Sequence, residues 1–276
     1  MKQKDGAIET MKHKIKLLAM IAVSAAAFAQ TSCDEGAGPL NPALPKDISP
    51  PEIVRKFSAQ ETMLKDAQTR YTYTMDVSVQ TLDSVTVDGE FRKVSEFSYP
   101  GGVRHEKVKF SPVSTLQRIT MSKQDFDDIY ERTPFVLNQQ DITQYNVLYA
   151  GQQKVDDLET YVFDAEPKQM EPGKRYFKGR VWVEIHDLSV VKSCGKNVPD
   201  PTATPKQREQ ARKKRGPLPD EVSPTFVTYR ELIDNQYWLP AYVRSDDDLR
   251  FANADTIHIK EVIKYQNYRN SENQKP

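Results

Sequence analysis

The sequence predicts a mainly β fold: a strongly curved antiparallel sheet covered by one or two helices. Period-two alternation of apolar and polar residues recurs from Tyr71 to Tyr265, whereas helical periodicity is confined to short stretches. The chain carries 13 Tyr, 11 Phe and two Trp at a mean hydropathy of only -0.68, so its apolar bulk is concentrated on strand faces. A strongly curved sheet has a concave face that must be covered. A helix covers part of it and an apolar ligand can fill the rest.

The elements follow in order. From Met11, a plausible true start, Lys12, Lys14 and Lys16 precede an apolar run from Leu17 to Phe28 that ends in a small-x-small pattern. This is the layout of an export signal over residues 1–29, and the run is too short to span a bilayer comfortably. Its removal takes five lysines and two acidic residues from a balance of 39 against 39, leaving 34 basic and 37 acidic. That charge offers no reason to expect a nucleic-acid partner. Cys33 has three readings: lipidation after export, a disulfide to Cys194, or a free thiol. Residues 30–50, rich in Gly and Pro, read as a flexible tether.

A helix is expected after Ser49-Pro50, with Ile53, Phe57, Met63 and Leu64 as its apolar stripe. Tyr71, Tyr73, Met75, Val77 and Val79 then alternate with polar residues as a half-buried strand. Two further strands flank a turn at Pro100–Gly102, a short helix spans 124–133, and two strands fill 145–166. Phe177, Val181 and Val183 share a strand face opposite Trp182, which stands with Lys178, Arg180 and Glu184 on what reads as the wetter, outer side. His186 and Asp187 form the corner of the hairpin, Asp187 capping its own backbone. Residues 195–222 combine prolines with a Lys/Arg cluster and few large apolar side chains, which reads as a disordered insertion. It could touch anionic lipid headgroups, although a solvated loop is the stronger reading. Strands return at 226–243. The last carries Ile257, Ile259, Ile263 and Tyr265 on one side, with His258 and Lys260 exposed on the other. No internal repeat or second apolar nucleus occurs, so residues 51–270 read as one domain.

Enzyme signals are scarce. After export His105, His186 and His258 remain, none at ligand spacing from another, and no zinc, nucleophile-elbow or phosphate-loop motif occurs. Asp246–Asp248 reads as a solvated charge run at a strand end. No catalytic residue, metal site or cofactor is therefore expected, and the protein reads as a non-enzyme. The candidate ligand-facing residues are Tyr71, Tyr73, Met75, Val77, Phe177, Val181, Val183, Ile257 and Ile259. The competing reading is a sheet packed shut.

The order of export signal, helix, strand meander, short helix and strands resembles the LolA/LolB-like lipoprotein carrier superfamily, in particular outer membrane lipoprotein-sorting proteins. Tyr161–Pro167, the strand Lys178–Val183 with its turn at Asp187, and "FVTYRELIDNQYWLPAYV" at 226–243 carry the resemblance. It implies a half-open β-barrel lidded by helices. Its partner would be a lipid or lipoprotein acyl chain, bound and handed over in the periplasm or cell envelope, with Cys33 as a potential membrane anchor. The alternative is a non-catalytic envelope scaffold or protein-interaction module of the same fold.

Overall fold

The computed structural model describes residues 32–171, 173–198, 209–210, 213, 223–250 and 256–271. The predicted export signal and most of the predicted insertion lie outside the described residues.

Helix α1 (Pro50–Gln68) starts at Ser49 with Pro in its first turn, where a missing N–H costs no hydrogen bond. Its buried stripe includes Ile53, Phe57, Glu61 and Leu64, and Met63 is left 38% exposed. The stripe therefore runs through a glutamate that apolar periodicity does not reveal. Ten strands account for most of the remainder: β1 (Tyr71–Asp83), β2 (Thr86–Ser98), β3 (His105–Phe110), β4 (Tyr145–Val155), β5 (Leu158–Pro167), β6 (Tyr176–Glu184), β7 (Val190–Val198), β8 (Phe226–Ile233), β9 (Tyr237–Arg250) and β10 (Thr256–Asn270). Between β3 and β4 lie helix α2 (Lys123–Asp127) and a wider helical turn at Asp128–Arg132. A capping box starts α2: Ser122 and Asp125 each accept from the other's backbone N–H. The β2–β3 turn depends on Gly101 and Gly102, whose φ angles of 63° and 78° few other residues tolerate.

The strands form one antiparallel sheet in the order β3-β2-β1-β10-β9-β8-β7-β6-β5-β4. This corrects the expected half-open barrel and strong curvature: β3 and β4 are separate ends of an open sheet that is neither closed nor strongly curled. Closure would require the edge strands to share hydrogen bonds. Instead β4 is covered by the N-terminal segment, and Lys107 and Lys109 line the exposed β3. Alternation records which strand face is buried. It does not record the arc of the sheet.

One face carries the main core. Ile53 and Phe57 of α1 pack there with Tyr73, Met75, Val77 and Val79 of β1, Val181 and Val183 of β6, and Ile259, Ile263 and Tyr265 of β10. A buried ion pair ties α1 to the sheet: Arg230 donates to both carboxylate oxygens of Glu61 at 2.5 and 2.7 Å, and to the carbonyls of Val190 and Pro134.

The opposite face is not wet at its centre, which corrects the expectation for Trp182. Trp182 does point away from Val181 and Val183, but it is fully buried with Val162, Val191, Cys194 and Val227. The cover is the segment predicted as a flexible tether. Cys33 is joined to Cys194 by a disulfide, with Cα atoms 5.5 Å apart, so its sulfur is not free to carry a lipid. Glu35 pairs with Arg244 and accepts from Lys192 Nζ through its carbonyl. Ala37 and Asn41 make β-bridges to Val155 and Gln152 of β4. Gly151 admits this close approach, since a Cβ there would lie 2.4 Å from the Asn41 carbonyl oxygen. Residues 195–198, expected within the insertion, complete β7 instead.

Candidate functional site

On the α1 side of the sheet, a cavity of about 310 Å³ separates the strands from the segment 118–133. Its floor is sheet: Val79 of β1, Ile259 and Glu261 of β10, Leu249 of β9, Phe226 of β8 and Asn197 of β7. Ile119, Met121 and Ile129 form apolar parts of the roof, with Asp125 and Asp128 beside them and Arg175 closing one side. The chain builds this gap because the helical segment is short and held by ion pairs. Asp128 is paired with both Arg132 and Arg175, and Arg175 Nη2 donates to Asp125 at 2.9 Å. Burial pushes the Asp128 carboxyl above its ordinary value, opposed by these two guanidinium groups. Arg118, at the mouth, pairs with Asp88 and donates to the Leu82 carbonyl.

Glu261 differs from every other group in the site. It occupies the inward position between Ile259 and Ile263 and pairs in register with Val79. Among the described residues it has no hydrogen-bond or ion-pair partner. Burial pushes its carboxyl up to about 7, and the nearby charges of Asp128 and Asp125 add to the shift. Asn197, 7% exposed, donates weakly to Thr133 Oγ1 through Nδ2, at 3.5 Å, while its buried Oδ1 has no partner among the described residues. A mainly apolar chamber thus contains a carboxyl near neutrality and an unused carbonyl acceptor.

The nine candidate residues are all buried, but they do not converge on this chamber. Ile259 lines it. Phe177 lines a neighbouring polar cleft beside Arg175 and Tyr145, and Tyr73, Met75, Val77, Val181 and Val183 lie in the packed core. Tyr71 sits with Leu64 and Leu239 at the far end of α1, and donates to Asp234 at 2.9 Å. Ile257 pairs in register with Leu249. Sequence reasoning missed Glu261 and Asn197. The available signal was Glu261 itself, a carboxylate interrupting the inward row 257, 259, 263, 265.

The histidines remain separate. His186 is an exposed corner, its backbone N–H and that of Asp187 donating to Glu184 Oε2, while Asp187 caps Ser189. His105 is exposed on β3. His258 corrects the expectation of exposure: its side chain is 10% exposed and lies between Asp246 and Asp248, at 2.8 Å from each. Asp246–Asp248 is likewise a set of paired side chains rather than a solvated run, with Asp247 accepting from Thr225 N. Among the described residues no group of three or more His, Cys, Asp or Glu is arranged to hold a metal ion, and no helix is long and apolar enough to cross a membrane.

No family model and no curated protein sequence matches this chain. Among solved structures, it is similar to a DUF1329 family protein from Desulfovibrio piger, at 15% identity and a TM-score of 0.38, covering 79% of this chain and 92% of that one. A LolA superfamily protein from Nitrosomonas europaea is similar at 12% identity and a TM-score of 0.33, covering 76% and 93%. The Mycobacterium tuberculosis lipoprotein LppX is similar at 10% identity and a TM-score of 0.26, covering 80% and 96%. These distant likenesses establish no family, and a functional reading must stand on the site's own residues.

Proposed function

We propose that the protein is an exported, non-catalytic binding module of the cell envelope that holds an amphipathic, lipid-like molecule in the cavity above β1, β10 and β9. The observation that supports it is the composition of one chamber: Val79, Ile129, Phe226, Leu249 and Ile259 offer apolar wall, Glu261 offers a carboxyl and Asn197 an Oδ1 that has no partner among the described residues. Mostly apolar walls with a few convergent polar groups are the usual make-up of a small-molecule site. At about 310 Å³ the chamber is at the small end of such sites. It suits one slender chain and its head, so any part in lipoprotein sorting would involve a single acyl chain. Export is supported by the basic-then-apolar N-terminus and by a disulfide, which persists in oxidising compartments.

The test is titration of the purified mature protein with Nile red, alongside Val79→Phe and Ile259→Phe, which fill the floor. Wild type should give a saturable blue shift that both variants lose while remaining folded by circular dichroism. Equal dye binding by the filled variants would contradict the reading. A wild type that takes no dye would favour a non-catalytic envelope scaffold, the reading that the unpaired β3 edge supports through half-exposed Val108 and Phe110.

A further inference from the structure

The charges around the cavity cancel in a specific way. Arg132 and Arg175 are matched by Asp125 and Asp128, and Arg118 is matched by Asp88. Glu261 alone has no opposite charge among the described residues, and it stands in the apolar row of β10 where an aliphatic residue would pack without cost. Asn197 supplies the second observation. It is more than nine-tenths buried, it lines the same cavity, and its Oδ1 accepts no hydrogen bond from the described residues. A buried acceptor left without a donor is destabilising, so both groups call for the same complement. That complement is a hydrogen-bond donor carrying a positive charge.

Resting on the binding reading above, we propose that the cavity is specific for amphipaths with a protonated amine head, received by Glu261 and Asn197 Oδ1 while the chain lies along Ile259, Leu249 and Phe226. An ammonium donates up to three hydrogen bonds and accepts none, which suits two acceptors. A carboxylate head would bring a second negative charge to Glu261 and no donor to Asn197. An alcohol could satisfy Asn197 but would leave Glu261 uncompensated once ionised. Glu261 is here a specificity-determining residue, and a neutral chain of equal length should still enter the cavity without it.

The experiment is calorimetric titration of the full mature protein with decylamine, decanol and decanoate, each below micelle-forming concentration, at about pH 8, where Glu261 is ionised. Wild type should bind decylamine about tenfold or more tighter than decanol, and decanoate weakest. Glu261→Gln should abolish the amine preference, so that decylamine binds no tighter than decanol. Decanol binding without an amine preference, or a preference that survives E261Q, overturns the inference while the cavity reading stands. Failure of all three probes to bind overturns both. Wild type also provides a check that needs no variant. The groups facing Glu261 are Asp125 and Asp128 from the helical segment, Arg175 from the lead into β6, Arg118 from the 118–133 segment and Tyr265 from its own strand. The amine preference should fall as pH drops through about 7 and Glu261 takes up a proton. A preference that is constant from about pH 8 to about pH 5.5 overturns the inference.

Discussion

Replacing both cysteines by serine should release the N-terminal segment that covers Trp182. The Cys33–Cys194 bond closes a loop spanning 161 residues. In the chain-entropy treatment a loop of that length restricts the unfolded state by about 5 kcal/mol at 25 °C, and measured losses for native disulfides are about 2–5 kcal/mol. Two outcomes are physically distinct. If residues 33–41 stay docked through Glu35–Arg244, Lys192 and the bridges to β4, the whole loss appears in global unfolding. If they lift, the local contacts are lost as well, and Trp182 and Cys194 lose their cover from Ala37 and Cys33. Urea denaturation should show a midpoint lower by about 1–2.5 M, for a slope of about 2 kcal/mol/M. Tryptophan emission in the native baseline reports whether the segment has lifted. An unchanged midpoint and an unchanged spectrum in C33S/C194S would show that the bond neither restricts the unfolded chain nor holds the cover.

Glu61→Gln should cost about 3–5 kcal/mol, because it leaves the Arg230 guanidinium buried without its carboxylate; the E61M/R230M double variant should recover much of that loss. A cost below about 1 kcal/mol in denaturation would contradict this account of how α1 is anchored. Glu261 gives a pH signature. Its carboxyl is raised from 4.5 to about 7, so its contribution to stability is fully present below about pH 4.5 and is lost as pH rises through about 7. Glu261→Gln should therefore match wild type at about pH 4.5 and exceed it by about 1–3 kcal/mol at about pH 8; parallel stability curves would refute the shift. At the hairpin, His186→Ala should cost no more than about 0.5 kcal/mol, against about 3–5 kcal/mol for Phe177→Ala, as denaturation midpoints will show. Loss of a hydrolytic activity in H186A would revive an enzyme reading.

Local pattern was legible wherever one face of an element is buried. The alternation over Tyr71–Val79 located β1 and its buried face, and Ser49-Pro50 marked the start of α1. The corner at His186 and the opposed facing of Trp182 also followed from period two and turn chemistry. Features made by distant residues were not legible. Trp182 was assigned to a wet face because its strand neighbours are charged, and nothing in that strand shows that residues 33–41 return to cover it. Glu61 reads as solvated until Arg230, 169 residues later, is seen against it. Asp246 and Asp248 read as surface charge until β10 brings His258 between them. Closure of the sheet depends on what pairs with its edge strands, which strand composition does not record. For the site, Ile259 is the one candidate residue that lines the cavity, and Glu261 was not legible because alternation marks apolar positions and a carboxylate interrupts it.

The most direct test of the central claim is methyl NMR of the isoleucine-labelled mature protein during titration with decylamine. Ile119, Ile129 and Ile259 line the cavity, whereas Ile53 and Ile263 are fully buried and are not among its lining residues. Saturable shifts concentrated in Ile119, Ile129 and Ile259, with Ile53 nearly unmoved, are the result predicted for a ligand held above β1, β10 and β9. Shifts spread over surface methyls alone, or none at saturating amine, would contradict a ligand-binding function for this cavity.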